Sequence, residues 1–311
     1  MTRVAAIDCG TNSIRLLIAE PDPATGGLRD IERRMEIVRL GQGVDETGRL
    51  APEALQRTFT ALTGFVKLID QHAVGSVRMV ATSATRDAAN RQEFIDGVRG
   101  VLGVEPEVIT GDAEARLSFA GATAELAGRE LPEPYLVVDI GGGSTEFVLG
   151  GTEVAAAASV DIGCVRLTER RLRSDPPTPP QVAAATGDIE AAVERASGTV
   201  PLRSARTLVG LAGTVTTVAG IALGLSGYDA ERIHHSSIPA RQVYEVSTYL
   251  LALPREQRAR IPVMHPGRID VIAAGALILD RVMRRLDVSE VLVSEHDILD
   301  GIAWSLLGRR V

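Results

Sequence analysis

The chain has 311 residues, 45% of them hydrophobic and only 3% aromatic, and carries a formal charge of −7 at pH 7. These values describe a folded protein of about two ordinary domains with aliphatic cores, and they exclude a global basic field for nucleic acid. Two cysteines, Cys9 and Cys164, exclude a disulfide framework and fit a reducing cytoplasm. Asp8 and a polar turn interrupt the first apolar run, so no secretory leader is expected. The apolar stretch Ile269 to Leu279 is too short to span a membrane and contains Asp270, so no membrane contact is expected. Lysine occurs once, at Lys67, so any bound phosphate must be met by arginine, backbone N–H groups and metal.

The first half alternates strands and helices. Strands are predicted near 3–8, 14–20 and 30–39, then a helix over 52–71 with Pro52 in its first turn. A buried strand over 76–81 leads into a polar loop, Thr82 to Asp87, and a helix over about 90–100. A short strand near 105–109 precedes a helix over 112–126. Gly128 to Pro134 reads as a linker. The second half repeats the scheme, with strands near 135–139, 145–150 and 152–160. A rigid proline loop at 175–180 and a helix to about 196 follow, then a strand at 207–210 and a helix opening at Gly213. Helices near 239–251 and 268–285, a strand at 289–293 and a last helix at 297–308 complete the chain. Such alternation implies mixed sheets with helices on their faces.

One phrase occurs twice. Asp8-Cys9-Gly10-Thr11-Asn12-Ser13 and Asp139-Ile140-Gly141-Gly142-Gly143-Ser144 are both D-x-G-x-x-S between two apolar strands. A single Gly-rich hairpin is ordinarily a tight turn. Recurrence in the same register instead points to a duplicated domain, with glycine letting the backbone approach a ligand and successive N–H groups forming an anion nest. Each nest has a carboxylate at its mouth. The candidate phosphate ligands are therefore Gly10, Thr11, Asn12 and Ser13 in the first turn, and Gly141, Gly142, Gly143, Ser144 and Thr145 in the second. Arg15 leaves the strand after the first nest, and Gly213 with Thr214 opens a helix that offers a third anion site. Asp8, Asp139 and Glu146 are hard oxygen donors suited to Mg²⁺ or Mn²⁺. Cys9, inside the first turn, reads as a small packing residue rather than a reactive thiol. Glu114, at a helix start, is the candidate base, and Arg86 lies at the C-terminal end of a buried strand, where α/β sheets face their ligand.

Six segments occur in order that resemble the motifs of the Ppx/GppA phosphatases: Ile7 to Ser13, Ala81 to Arg86, Ile109 to Leu117, Val138 to Glu146, Gly210 to Thr217 and Arg268 to Ile272. These are exopolyphosphatases and guanosine pentaphosphate phosphohydrolases of the actin/hexokinase/Hsp70 superfamily, and the resemblance runs from Val4 to Trp304. It implies two actin-like (ribonuclease H-like) α/β domains, 1–126 and 127–296, with mixed sheets and an interdomain cleft. The C-terminal helix, within 297–311, is expected to pack back on the first domain. The resemblance also implies that Glu114 activates the attacking water, that Arg86 contacts phosphate, and that Asp139 and Glu146 lie near the metal. The substrate implied is inorganic polyphosphate, with guanosine pentaphosphate as the alternative. Short polyphosphate chains, a cytoplasmic location and a homodimer are further expectations. A superfamily kinase or ATPase, or a nucleotide sensor without turnover, is the reading from another class, against which Glu114 and Arg86 stand. The segment Ser294 to Gly301 departs from the family, which often has an Arg-Glu pair before the last glycine.

Overall fold

The computed structural model describes residues 3–126 and 129–308. Along the chain the elements are β1 (Val4–Cys9), β2 (Ser13–Pro21), β3 (Leu28–Ile37), α1 (Val44–Thr47), α2 (Pro52–Gln71), β4 (Ser76–Ala81), α3 (Ser83–Asp87), α4 (Arg91–Leu102), β5 (Glu107–Val108) and α5 (Gly111–Thr123). There follow β6 (Tyr135–Ile140), β7 (Thr145–Gly150), β8 (Val154–Val160), α6 (Cys164–Arg171), α7 (Pro179–Ser197), β9 (Thr207–Leu211) and α8 (Ala212–Ala222). The chain continues with α9 (Ala230–Ile233), β10 (Ser237–Pro239), α10 (Ala240–Ala252), α11 (Arg255–Arg258), α12 (Ile272–Leu286), β11 (Glu290–Val293) and α13 (Ile298–Leu306).

These elements form two compact units. The first is the chain up to Arg129 together with the segment from Asp297, and the second runs from Glu130 to His296. Gly128, where the linker was expected to begin, lies outside the described residues, as does the end of the chain beyond Gly308.

The two sheets share one plan. In the first unit the strand order is β3-β2-β1-β4-β5, with β1, β2 and β3 antiparallel and β4 and β5 parallel to β1. In the second it is β8-β7-β6-β9-β11, with the same directions, and β10 adds an antiparallel strand at the far edge. This is the ribonuclease H-like order expected, and the fold is the mixed α/β class.

The packing follows the period of 2. In the first unit Ala5, Ile7 and Cys9 face one core with Leu62 and Phe65 of α2 and Phe94 and Val98 of α4. Val4 and Ala6 face the opposite layer, where Leu117 of α5 meets Ile298, Leu299 and Ile302 of α13. In the second unit Leu136, Val138 and Phe147 pack against α7, α8 and α12. Caps fix several helix starts. Thr110 accepts the Ala113 N–H at the head of α5, and Thr178 and Gln181 make a capping box on α7.

Two local readings are corrected and one element is added. Residues 83–87 form a short helix, α3, rather than a polar loop. The helix expected over 268–285 begins only at Ile272, because Pro266–Arg268 makes a separate 3₁₀ turn. Residues 164–171 form helix α6, for which no element was predicted, and bury Cys164, Val165 and Leu167.

Candidate active site

The repeated turns close alike. The Gly10 N–H donates to the Ser13 carbonyl at 2.9 Å, and the Gly141 N–H to the Ser144 carbonyl at 3.0 Å. Neither glycine occupies the left-handed region, so the need for glycine here is not a positive φ. Close approach requires glycine instead at two positions packed against the turns. A Cβ on Gly163 would overlap the Gly142 carbonyl, and one on Gly41 would overlap the Thr11 methyl.

Both turns have their carbonyls tied back. In the first, the Thr11 carbonyl accepts from Gly41 N–H at 2.8 Å, and the Asn12 carbonyl from Val38 and Arg39 at 3.1 and 2.8 Å. In the second, the head of α6 holds the turn: Cys164 N–H donates to Gly141, and Val165 and Arg166 N–H to Gly142, at 2.9–3.1 Å. The Arg166 side chain adds a bond from Nε to the Gly143 carbonyl at 2.7 Å. The N–H groups of Thr11, Gly142 and Gly143 donate to no other described residue. Carbonyls anchored behind and N–H groups left in front are what an anion nest requires.

The flanking side chains differ from the simplest expectation. Thr11 shares a 2.9 Å hydrogen bond with Ser83 of α3. The Thr145 hydroxyl donates to the Ile162 carbonyl at 2.6 Å, so it braces the turn. Thr214 is buried, hydrogen-bonds the Cys164 thiol and abuts Gly275 so closely that a Cβ there would clash. At the head of α8, Ala212 takes φ 66°, a left-handed conformation uncommon for alanine. Arg268 covers Gly213, donating to its carbonyl at 2.8 Å and to Thr217 Oγ1 at 3.2 Å.

The carboxylates are placed by register. Asp8 lies directly across the β1–β2 ladder from Arg15, and Asp139 directly across β6–β7 from Glu146. Opposed residues of an antiparallel pair project from the same face with Cβ atoms about 5 Å apart. Asp139 and Glu146 thus form a like-charged pair; both are buried, and Glu146 Oε1 accepts from Ser159 at 2.7 Å. Asp8 is instead ion-paired: Arg15 donates from Nε and NH2 to Oδ2 at 3.0 and 2.7 Å. Its other oxygen, Oδ1, is buried with no hydrogen-bond partner. Burial pushes the Asp8 carboxyl above its ordinary value despite Arg15, which pulls it down. Arg15 also donates to Asp297, the cap residue of α13, so the expected phosphate ligand Arg15 is engaged by two carboxylates.

Glu114 sits in the first turn of α5, buried, and accepts from Arg86 NH1 at 3.1 Å. The same Arg86 nitrogen donates to the Ile109 carbonyl at 3.0 Å. The arginine therefore ties the base candidate to the strand-to-helix bend that carries it. Both cysteine thiols are buried and shifted upward by burial, Cys164 to about 11, which leaves them protonated and inert.

Within the first unit the structure joins Asp8 to Arg15, Thr11 to Ser83 and Arg86 to Glu114. Within the second it sets Asp139 opposite Glu146 and links Thr214 to Cys164, whose N–H holds the Gly141 turn, while Gly213 is engaged by Arg268. Sequence reasoning missed Arg166, Gly163 and Asp297. Asp297 with Asp300 three residues later carries the signature of a capping box, which was the available signal.

The family model for Ppx/GppA phosphatases matches residues 17–310. The chain is 53% identical over 319 residues to "Exopolyphosphatase 2" of Mycobacterium tuberculosis, covering 99% of each chain. It superposes on the crystal structure of an exopolyphosphatase-like protein with TM-score 0.94 and 44% identity, covering 98% of both. The Aquifex aeolicus member of the Ppx/GppA family gives TM-score 0.80 and 33% identity, covering 100% of this chain and 99% of that one.

Proposed function

The chain belongs to the Ppx/GppA phosphatase family, and from that premise we propose that it is an exopolyphosphatase, which hydrolyses the terminal phosphoanhydride of inorganic polyphosphate and releases phosphate. The observation that carries the reading is the pair of matched turns, each with its carbonyls tied back and a buried carboxylate at its mouth.

The residues fit a hard divalent cation, Mg²⁺ or Mn²⁺. Asp8 keeps a buried, unpartnered oxygen, and Asp139 stands directly opposite Glu146 on the ladder, so two carboxylates share one face. Asp8 in the first unit, and Asp139 with Glu146 in the second, are the donor groups each unit would offer such a cation. Bound there, such a cation screens phosphate charge and withdraws electrons from the phosphoryl oxygens.

The chain's own groups do the rest. In each unit the N–H groups of the turn are suited to bind phosphoryl oxygens. Glu114 orients a water for in-line attack on the terminal phosphorus and takes its proton at a carboxylate oxygen. Arg86 fixes the Glu114 rotamer and offsets charge on the transferring group. Positioning and electrostatics supply most of the rate in phosphoryl transfer, so this small set of groups suffices.

Guanosine pentaphosphate ends in the same anhydride and is the alternative substrate. The test is steady phosphate release from polyphosphate, ATP and guanosine pentaphosphate at equal phosphate concentration. Polyphosphate is expected to give the highest kcat/KM, and a higher value for guanosine pentaphosphate would reverse the assignment. The proposed setting is a cytoplasmic homodimer. Among the described residues no helix is long and apolar enough to cross a membrane. Sedimentation tests the dimer.

A further inference from the structure

The divergent segment after β11 meets the first turn through one side chain. Arg15 spends both bonds to Asp8 on the same oxygen, Oδ2, and turns its remaining arm, NH1, to Asp297 Oδ2. Asp297 divides its own oxygens: Oδ1 caps α13 by accepting the Leu299 N–H at 3.0 Å, and Oδ2 takes the arginine. The Asp297 N–H donates to Asp300 Oδ2 at 3.0 Å, and Asp300 is held by Arg33 of β3.

Capping alone does not require this residue. Asparagine or serine caps a helix as well as aspartate does, and a second carboxylate on one arginine adds a buried charge that must be desolvated. Asp8 and Asp297 are both buried, at 5% and 3% exposure. The repeat supplies the reason for the extra charge. Where the second unit has Glu146 opposite Asp139, the first has Arg15 opposite Asp8. An Asp8–Arg15 pair by itself is neutral. With Asp297 the trio carries a net negative charge, and Asp8 Oδ1 stays without a partner.

We propose that Asp297 is a positioning residue for the first turn: by holding one arm of Arg15 it stops the arginine from neutralising Asp8 and preserves Asp8 Oδ1 as a donor to a divalent cation. The proposal rests on the reading of Asp8 as a metal ligand. It gives the departure from the family in 294–301 a function, since the cap of the last helix sets the charge of a site 282 residues away in sequence.

The test is Mn²⁺ affinity of the full chain without substrate, read from the paramagnetic signal of free Mn²⁺, so turnover is not the readout. Asp297→Asn and Asp297→Ser both keep a capping oxygen and remove the charge. Each is expected to weaken Mn²⁺ binding by about tenfold, the usual cost of losing an outer-sphere partner. Arg33→Gln loosens the same helix start through Asp300 but leaves Arg15 its two carboxylates, and is expected to bind Mn²⁺ as the parent does. Normal binding in both Asp297 variants, or an equal loss in Arg33→Gln, overturns the proposal. Asp8→Asn separates the premise from the inference. If it too leaves affinity unchanged, the reading of Asp8 as a ligand falls and carries the proposal with it. If Asp8→Asn weakens binding and the Asp297 variants do not, only the proposal falls.

Discussion

Arg15 stands across the ladder from Asp8 at the register position that Glu146 holds opposite Asp139. One duplicated turn has therefore been divided into two electrostatic types. The first pairs its acid with a cation, and the second doubles the negative charge. The backbone is unchanged, since both turns close with the same Gly-to-Ser hydrogen bond. The two differ at the side chain seven residues after the aspartate, while the turn-closing hydrogen bond is the same.

Glu114→Gln tests the proposed base. Glutamine preserves size and can still accept from Arg86, so the helix start of α5 should survive. A fall in kcat of roughly 10²–10⁴ is expected, typical of losing a general base, with substrate affinity close to the parent's. Single-turnover phosphate release together with equilibrium binding separates the two quantities. Parental turnover in a folded variant rejects the role.

Like charges placed opposite each other on neighbouring strands destabilise a sheet. Asp139 and Glu146 occupy such opposed positions. Glu146→Gln should therefore raise the metal-free unfolding free energy by about 0.5–1 kcal/mol while losing most of the activity. Mg²⁺ should raise the Tm of the parent and leave the variant nearly unmoved. A chelator should abolish parental activity reversibly. Denaturant melts with and without Mg²⁺ check the sign, and a metal-free variant less stable than the parent counts against the reading.

Much of this was legible from the residues. The two D-x-G-x-x-S phrases located both turns and, by hairpin register, the acidic pair. Short continuous apolar runs located β1, β2, β6 and β7, because strands buried on both faces do not alternate. Other features were hidden for physical reasons. Arg15 and Asp297 are brought together by tertiary packing over 282 residues, and no local pattern records that. The hydroxyl of Thr145 read as a phosphate ligand by composition, whereas its partner Ile162 enters from the far end of β8. Helix α6 is only eight residues long, starts with a cysteine and a valine and ends in charge, and the bonds its first turn donates to the second glycine turn are not recorded in any local pattern.

The crossing of α5 with α13 makes a further expectation. A Cβ on Gly121 would overlap the Asp297 carbonyl, and one on Gly301 would overlap the Leu117 carbonyl. Two backbones meet there without room for a methyl. Gly121→Ala should force the helices apart and destabilise the protein by about 1–3 kcal/mol, the range for overpacking. Because α5 carries Glu114, kcat should fall more than KM rises. A thermal melt and a kinetic comparison with Gly64→Ala, where a Cβ meets nothing within 4 Å on the exposed face of α2, check both parts.

Cys164 gives the pH dependence a worked sign. Burial raises its thiol from 9.0 to about 11, against the lowering effect of Arg268 and the Thr214 hydrogen bond. Between those values the unfolded chain has released the thiol proton and the folded chain has kept it. The folded state then binds more protons, so stability falls as pH rises. The contribution is fully present below pH 9 and is gone above about pH 11. A shift of this size corresponds to roughly 2–3 kcal/mol. Cys164→Ala removes the titration but leaves a small void, so it should be less stable than the parent at pH 8. Its deficit should shrink as pH climbs, because the parent alone loses this term. Urea unfolding of both proteins at steps from pH 8 to pH 11 measures the gap directly. A gap that stays constant across the series would show that the thiol is not held protonated by the fold.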